Sequence, residues 1–249
     1  MGALRGKTAL VSGAAHGLGA ATAAALARAG ANVVLHYRAS EGEARALADD
    51  LRATGVRAAA LGADLTSIQE TEHLIVEASR SVGPPDVLVN NVGDFLWKDA
   101  AETTFAEWRA LLSSNLDTMF HLTRCCLPHM RREQWGRIVN LTASAVERGG
   151  ASPHTAAYTA AKAAVWSLTR SLAREELGHG ITVNAVAPGL IDTGDDRIPP
   201  GVRERMVAIS PNGKLGTPAD VARVIEFLAL PESAFITGAQ IPVSGGFQL

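Results

Sequence analysis

The sequence has little of what marks secreted, metal-binding or nucleic-acid-binding proteins. It contains two cysteines among 249 residues, and its formal net charge is only -2. Cys125 and Cys126 are adjacent in a helical pattern, where neighbours are poorly placed to form a disulfide, and no residues have the spacing of a metal site. We therefore expect no metal ion and reduced thiols, as in a cytoplasmic protein. The small net charge gives no basic field that would attract nucleic acid.

Long apolar segments are also lacking. No apolar run reaches the roughly 20 residues that a membrane-spanning helix needs. The N-terminal stretch MGALRGKTALVSG leads directly into a strand pattern and has no secretory apolar region. With 47% hydrophobic and 19% charged residues, the composition is typical of a globular protein with a substantial core. We therefore expect a cytoplasmic protein that has no membrane association.

Short apolar segments alternate with longer helical patterns along the chain. Six segments are apolar throughout, as strands are when helices cover both faces of a sheet. They are TALVS, NVVLH, DVLVN, RIVNL, ITVNAV and QIPVS. Helical patterns lie between them, including two long ones at about 104–131 and 155–177. This alternation predicts an α/β Rossmann fold, a doubly wound parallel sheet of about seven strands with helices on both faces.

No linker or change of composition divides the chain, so we expect one dinucleotide-binding domain over residues 1–249. The least regular segment, about 190–217, is predicted to form a substrate loop region, because long irregular segments in compact domains often cover a binding site. Ser40 and Glu43 have the spacing of a capping box, which predicts the start of a helix.

The stretch SGAAHGLG follows the first strand and opens the first helix. Gly13, Gly17 and Gly19 let the backbone turn tightly and approach a diphosphate, which the helix N-terminus attracts. Glycines also suit an ordinary turn, so the position after the first strand carries the prediction of a dinucleotide site. His16 and Leu18, which lie between these glycines, are predicted to contact the cofactor as well.

The end of the second strand indicates which cofactor binds. A carboxylate there would select NAD by holding the ribose 2′-hydroxyl. The sequence LHYRAS instead places Tyr37 and Arg38 at this position. A guanidinium suits a 2′-phosphate, so we predict NADPH, with NAD less favoured and His16 as a further contact. A solvated surface arginine is the alternative.

The motif YTAAK places Tyr158 and Lys162 on one face of a helix. A free tyrosine has a pKa of about 10, and a nearby ammonium lowers this pKa because it favours the phenolate. Such a pair can pass a proton to or from a substrate oxygen. The motif is common by chance, and an aromatic ring packed on a lysine stem is the alternative.

The order of SGAAHGLG, NNVG, Asn115, YTAAK and NAVAPG resembles the classical short-chain dehydrogenase/reductase family over nearly the whole chain. The resemblance implies that Tyr158 is the general acid and that Lys162 also grips the nicotinamide ribose. It implies that Asn115 distorts its helix and holds a water in a proton relay, and that the protein is a homotetramer. Further cofactor contacts that the resemblance implies are Asp64, Leu65, Asn91, Gly93, Pro188, Gly189, Ile191 and Thr193. Ser12 stands where the family usually has threonine, and its hydroxyl can do similar work.

The family also has a serine that holds the substrate oxygen, and here two counts disagree. A gap-free reading from RIVN puts Ala143 at that position, whereas the distance to Tyr158 favours Ser144. A one-residue bulge after Leu141 would reconcile the counts, because bulges re-aim side chains beside active sites. We predict this bulge and Ser144 as the catalytic serine. The alternatives are Thr142 or an impaired enzyme.

Together these features predict an NADPH-dependent ketone reductase that acts on a small carbonyl substrate. Among family members the sequence most resembles 3-oxoacyl-carrier-protein reductases and secondary-metabolite ketoreductases. Alternatives are an NAD(P)-dependent alcohol or sugar dehydrogenase and, from another class, a nucleotide-binding protein that has lost catalysis. Substrate choice is expected to depend on residues 94–100, 146–154 and 190–211. Phe95, Trp97 and Met206 are candidate apolar walls there, unless they serve core or interface packing.

Overall fold

The structure, a computed structural model, describes residues 2–144, 146, 153–194 and 201–247. Seven parallel strands form one sheet in the order β3-β2-β1-β4-β5-β6-β7. They are β1 (Thr8–Val11), β2 (Asn32–Tyr37), β3 (Ala58–Gly62), β4 (Val87–Asn90), β5 (Gly136–Leu141), β6 (Ile181–Pro188) and β7 (Gln240–Val243). The direction of winding reverses between β1 and β4. A crevice therefore opens at their carboxyl ends, where doubly wound folds bind ligands.

Helices cover both faces of the sheet, and the predicted Rossmann architecture is confirmed. They are α1 (Gly17–Arg28), α2 (Glu41–Ala53), α3 (Ile68–Ser81), α4 (Phe105–Leu112), α5 (Thr118–Glu133), α6 (Ala156–Glu175), α7 (Val202–Ile209) and α8 (Pro218–Ala229). None of the helices in the described residues is long and apolar enough to cross a membrane.

Two apolar cores follow from the alternation of side chains along the strands. Val139 and Leu141 of β5 pack with α1 and α8 on one face. Ile138 packs with α5 and α6 on the other face. The amide of Asn140 points to that same second face, since its Nδ2 donates to Thr169 Oγ1 of α6 at 2.9 Å. Thus α6 and the even-numbered positions of β5 lie on one side of the sheet.

Two local features differ from the sequence reasoning. No strand was predicted at Ala58–Gly62, because its alanines favour helix over strand, but pairing with β2 makes it β3. The predicted capping box of Ser40 and Glu43 is wrong. Ser40 does precede α2, but its hydroxyl caps no helical N–H and lies 2.8 Å from His16 Nε2.

Candidate active site

A cleft of about 280 Å³ opens at the carboxyl ends of β1, β2 and β4. It brings together six of the residues predicted to bind a cofactor. They are Gly13, Arg38, Asp64, Leu65, Asn91 and Gly93. His36, Ala63, Thr66, Val92, Asp94, Ser114 and Thr118 complete the lining. The position matches the crevice at the reversal of strand order, so residues distant in sequence form one cavity.

The glycine loop between β1 and α1 approaches its neighbours too closely for side chains. A Cβ at Gly19 would collide with the carbonyl oxygen of Gly13. Gly13 has a φ of +63°, and a Cβ there would lie 3.2 Å from Val92 Cγ2. Gly17 has a φ of +51°, and a Cβ there would lie 3.5 Å from Thr193 Cβ. Glycine at these positions keeps side chains off the loop backbone, as the close approach of a diphosphate requires.

Ser12 holds the ends of β1 and β4 together. Its Oγ accepts hydrogen bonds from the N–H groups of Asn91 at 2.8 Å and Val92 at 3.0 Å. The same hydroxyl donates to Val89 O at 3.3 Å. Asn91 in turn donates through Nδ2 to the carbonyl oxygens of Ser12 at 3.0 Å and Gly13 at 3.2 Å. The serine hydroxyl thus makes the contacts across the crevice that a threonine hydroxyl could make.

His36 is a site residue that the sequence reasoning missed. It is 2% exposed. Its Nδ1 accepts from the N–H of Gly13 at 3.1 Å, and its Nε2 lies 3.0 Å from the carbonyl oxygen of Ala63. Nδ1 must be the acceptor, so Nε2 carries the hydrogen and the ring is neutral. Burial lowers its pKa from 6.5. The signal available in the sequence was a histidine at the end of an apolar strand beside the glycine loop.

Arg38 lines the cleft as an exposed side chain. It forms no ion pair or hydrogen bond with any of the residues that the structure describes. Its guanidinium lies close enough to Asp64 to help lower the pKa of that carboxyl, after the hydrogen bonds from Thr66. A cation with no committed partner at the cofactor cleft can accept an anionic group of a ligand.

Three further residues that were predicted to bind the cofactor, Tyr37, His16 and Leu18, lie in different environments. Tyr37 does not line the cleft, because its ring lies against Gly62, where a Cβ would be 3.0 Å from Tyr37 Cε2. His16 is exposed, and its Nε2 lies near Ser40. Leu18 packs against the apolar core beneath α1. Of these three, His16 alone presents a polar group at the surface beside the glycine loop.

The segment after β6 closes the opposite side of the glycine loop. Pro188 ends β6 and pairs with Val243 of β7. The N–H of Gly189 donates to the carbonyl oxygen of Val243 at 3.0 Å. Ile191 is 8% exposed and bridges to Gly216. This pairing carries the exposed Thr193 to Gly17. Residues 195–200 of the predicted substrate loop region lie outside the described residues.

Lys162 is buried at the end of β5. It is 5% exposed, and its Nζ donates to the carbonyl oxygen of Leu141 at 2.9 Å. Burial lowers its pKa from 10.5 to about 8. The ammonium also lies 5.8 Å from the centre of the Tyr158 ring. The helix α6 therefore presents both side chains to one point, as their spacing predicts.

The shift of the Tyr158 pKa is opposite in sign to the lowering that was expected beside this ammonium. Burial raises the pKa of Tyr158 from 10.0 to about 12. The cause is removal of the phenol from water, which disfavours the phenolate. Tyr158 is consequently protonated at neutral pH. A protonated phenol is the form that can donate a proton to a substrate oxygen.

Asn115 lies in a π-helical segment, Ser113–Asp117, between α4 and α5. The helix is therefore distorted at the residue where the family resemblance implied a distortion. Its Nδ2 donates to the carbonyl oxygens of Asp94 and Leu111, both at 3.0 Å. Its Oδ1 is buried and has no hydrogen-bond partner within the described part of the chain. A Cβ at Gly93 would collide with this oxygen and lie 3.1 Å from Lys162 Nζ, so the acceptor and the ammonium face one small space.

The predicted bulge after Leu141 is absent. The N–H of Thr142 donates to Val186 O at 2.9 Å, and that of Ser144 donates to Pro188 O at 3.3 Å. Both strands therefore advance by the same number of residues, and the register of β5 and β6 continues without an inserted residue. The alternation of side chains accordingly places Ser144 on the face of Asn140 and α6, and Ala143 on the opposite face. The error was to assume that only a bulge could turn Ser144 toward α6.

Thr142 is committed elsewhere. It is 3% exposed, and its Oγ1 donates to Gln240 Oε1 at 2.8 Å and lies 3.2 Å from Val186 O. A hydroxyl whose hydrogen serves these buried acceptors has none left for a substrate oxygen. Thr142 shares the even-numbered face of the strand with Ser144 but is engaged by Gln240 and Val186, and Ala143 has no hydroxyl, so Ser144 remains the candidate among the three positions.

Comparison with known proteins extends over nearly the whole chain. A family model described as enoyl-(acyl carrier protein) reductase matches residues 13–248. The chain is 38% identical to the 3-oxoacyl-(acyl-carrier-protein) reductase FabG of Pseudomonas aeruginosa, over 99% of each protein. It is 35% identical to the hydroxynaphthalene reductase-like protein Arp2 of Metarhizium robertsii, over 98% of this chain and 95% of Arp2. A crystal structure of a blue fluorescent protein from a metagenomic library, in complex with NADPH, matches with a TM-score of 0.90 at 35% identity, over 99% of both chains.

The buried His36 predicts a specific dependence of stability on pH. Its lowered pKa means that the unfolded chain binds a proton below about pH 6.5 while the folded protein resists it, so stability is lost as pH falls through this range. Replacing His36 with Asn should cost about 1–3 kcal/mol of unfolding free energy at pH 8, through lost buried hydrogen bonds. This deficit should shrink at about pH 5.5, because the variant lacks the titrating group.

Urea unfolding at the two pH values measures this change. His73→Asn is the matched control, since His73 is exposed on α3 and makes no contact with the cleft. A His36→Asn deficit that stays constant or grows at the lower pH would contradict the prediction.

Proposed function

The chain belongs to the short-chain dehydrogenase/reductase family, and from this premise we propose that it catalyses the NADPH-dependent reduction of a ketone, with Tyr158 as the proton donor. The observation that carries the proposal is the position of the buried Lys162 ammonium, 5.8 Å from the centre of the Tyr158 ring, next to a cleft lined by glycines. The similarity to the FabG and Arp2 reductases and to an NADPH-bound structure supports it. By that similarity, candidate substrates are 3-oxoacyl thioesters and secondary-metabolite ketones.

The residues of the cleft fit NADPH. Gly13, Gly19 and Gly93 leave space where a Cβ would meet neighbouring atoms. The N-terminus of α1 faces that space and suits the diphosphate. Arg38 at the rim would hold the 2′-phosphate, and Asp64 would lie near the adenine. The remaining residues that we propose as cofactor contacts are His16, Gly17, Leu18, Tyr37, Leu65, Asn91, Pro188, Gly189, Ile191 and Thr193.

When bound, the nicotinamide supplies a hydride to the carbonyl carbon. Tyr158 donates the proton that neutralises the oxygen, because its raised pKa keeps it protonated at neutral pH. Ser144 orients the carbonyl oxygen. Lys162 then stabilises the phenolate through its charge. We propose that Asn115, whose buried Oδ1 faces Lys162 across Gly93, helps return a proton to the site.

The similarity to the FabG and Arp2 reductases favours reduction over alcohol or sugar dehydrogenation. Reduction uses the protonated phenol as the acid, and the raised pKa keeps Tyr158 in that form. A protein that had lost catalysis would have no need to bury the Lys162 ammonium, which is costly. The alanine at position 143 does not indicate a loss of catalysis, since Ser144 shares the face of α6.

We further propose that residues 1–249 act as one domain in the cytoplasm and assemble as a homotetramer. The exposed apolar side chains Phe105 on α4 and Phe120 on α5, which are 76% and 47% exposed, offer surfaces for partner subunits. Light scattering that gives the mass of four chains would support the assembly, and the mass of one chain at micromolar concentration would oppose it.

Turnover tests the proposed reduction directly. Purified protein with NADPH should consume cofactor when a ketone is added, and a 2-enoyl thioester should give no consumption.

The Tyr158→Phe variant should keep its NADPH affinity, because the ring still packs. Its turnover should fall about 10²–10⁴-fold, because the acidic hydrogen is gone. Lys162→Met should lower both turnover and cofactor affinity. A phenylalanine variant that reduces ketones at the normal rate would show that Tyr158 is not the acid.

Cofactor choice is tested at Arg38. Arg38→Ala should lower NADPH affinity about tenfold or more, since a lost charge-assisted contact costs about 1.5–3 kcal/mol. NADH affinity should hardly change. Arg28→Ala is the matched control, because it removes the same charge from an exposed position at the end of α1. Equal affinity of the unmutated protein for both cofactors would refute the assignment.

The serine assignment is tested by a reciprocal pair of substitutions. Ser144→Ala should lower turnover by about 10²–10³, the loss typical of one oxyanion-type donor. Ala143→Ser should do little, because position 143 faces away from α6. Turnover is measured with saturating NADPH and one ketone. A silent Ser144→Ala together with a more active Ala143→Ser would reverse the assignment.

A further inference from the structure

Aromatic side chains extend outward from Tyr158 in one row. The ring of Phe95 meets that of Tyr158 edge-on, with centroids 4.9 Å apart and planes at 78°. Trp97 follows at 6.4 Å from Phe95, and His154 at 5.7 Å from Trp97. We call Phe95, Trp97 and His154 the aromatic row. Its spacings lie in the range at which aromatic rings interact favourably, and the row starts at the proposed proton donor.

Core packing does not account for the row. Phe95 is 60% exposed and Trp97 is 62% exposed. Both lie on the irregular segment that follows the cleft residues Gly93 and Asp94. Large apolar side chains that remain exposed beside a reactive group are typical of a ligand-binding surface. The row is therefore available to a substrate whose carbonyl reaches Tyr158.

The row is also held in position before any ligand binds. Just before Phe95, the carbonyl oxygen of Asp94 accepts a hydrogen bond from Asn115 Nδ2 at 3.0 Å. Just after Trp97, the N–H of Lys98 donates to the carbonyl oxygen of His154 at 2.8 Å. The Lys98 ammonium contacts Glu107 at 2.8 Å, which ties the segment to α4. A surface fixed at both ends loses little conformational entropy when it binds a ligand.

The charges near the row disfavour an anionic substrate. Residues 94–107 contain four carboxylates and a single basic side chain, Lys98. Glu107 already engages that ammonium in an ion pair. Thioesters of coenzyme A or of a carrier protein carry phosphate at the far end of their pantetheine arm, and this segment offers no unpaired basic side chain to bind it. An uncharged ligand needs no such partner.

On the basis of the proposed ketone reduction, we propose that the substrate is an uncharged, planar aromatic ketone whose ring packs on Phe95 and Trp97 while its carbonyl oxygen reaches Tyr158. A flexible acyl chain would bury similar apolar area but would gain no ring–ring contact. It would also lose more rotational freedom on binding. The row therefore selects for planarity and aromaticity rather than for chain length.

Two ketones with the same carbon skeleton test this preference for an aromatic substrate. 2-Tetralone and 2-decalone have the same fused ten-carbon frame and an unconjugated carbonyl, and they differ in the aromatic ring. With NADPH in excess, kcat/KM for 2-tetralone should exceed that for 2-decalone by about tenfold or more. It should likewise exceed that for an acetoacetyl thioester of coenzyme A. A ratio of one or less for either comparison overturns the inference while the proposed reduction stands, and no reduction of any ketone overturns both.

Substitutions test whether Phe95 and Trp97 cause the preference for the aromatic ketone. Phe95→Leu and Trp97→Leu should each bring the tetralone-to-decalone ratio down toward one, because leucine keeps apolar volume and removes the ring. Phe235→Leu is the matched control, since Phe235 is fully exposed between α8 and β7 and should leave the ratio unchanged. NADPH affinity and far-UV circular dichroism verify that the variants are folded. If the leucine variants change the oligomeric mass and leave the ratio intact, the row is an interface between copies of the chain, and the inference fails.

Discussion

The burial of one ammonium, that of Lys162, is the constraint on which the site depends. A buried charge is costly unless it is hydrogen-bonded, and here the carbonyl oxygen at the end of β5 accepts from it. The contact joins α6 to the carboxyl edge of the sheet and so sets the height of Tyr158 above that edge. It also requires a glycine at position 93, where any side chain would approach the ammonium and collide with Asn115. One desolvated group thereby connects the helix, the sheet and the π-helical segment.

The other half of the cleft is organised by polar side chains that bridge strand ends. At the carboxyl edge of a parallel sheet the last N–H and carbonyl groups have no strand partner, so other groups must satisfy them. Ser12 and Asn91 do this between β1 and β4. His36 does it between the glycine loop and the residue after β3. In the glycine loop, the N–H groups of Gly13 and Ala14 both donate to His36, so a ligand would have to bind the N–H groups that follow them toward α1.

Desolvation also shifts the pKa values of Tyr158 and Lys162. Removal from water disfavours the phenolate and so raises the pKa of Tyr158. The same removal from water lowers the pKa of Lys162. Both shifts act against the charged forms, so the described protein holds Tyr158 ready to donate rather than to accept a proton. The aromatic row adds to this effect, because Phe95 lies against the Tyr158 ring.

The sequence by itself determined the architecture and the positions along the chain of most site residues. Apolar runs alternating with helical patterns led to the sheet, the glycine motif led to the cleft, and the YTAAK motif led to the Tyr158–Lys162 pair beside it. Local periodicity and residue spacing are encoded in short segments. Tertiary structure decided what depends on pairing and burial. Strand β3 exists through its pairing with β2, and Ser40 caps no helix because its hydroxyl lies beside His16. The register of β5 with β6 decided which way Ser144 faces, and burial decided the sign of the pKa shift of Tyr158. These outcomes arise from contacts between residues that are far apart in the chain. The free energies of such contacts cannot be predicted from a local sequence pattern.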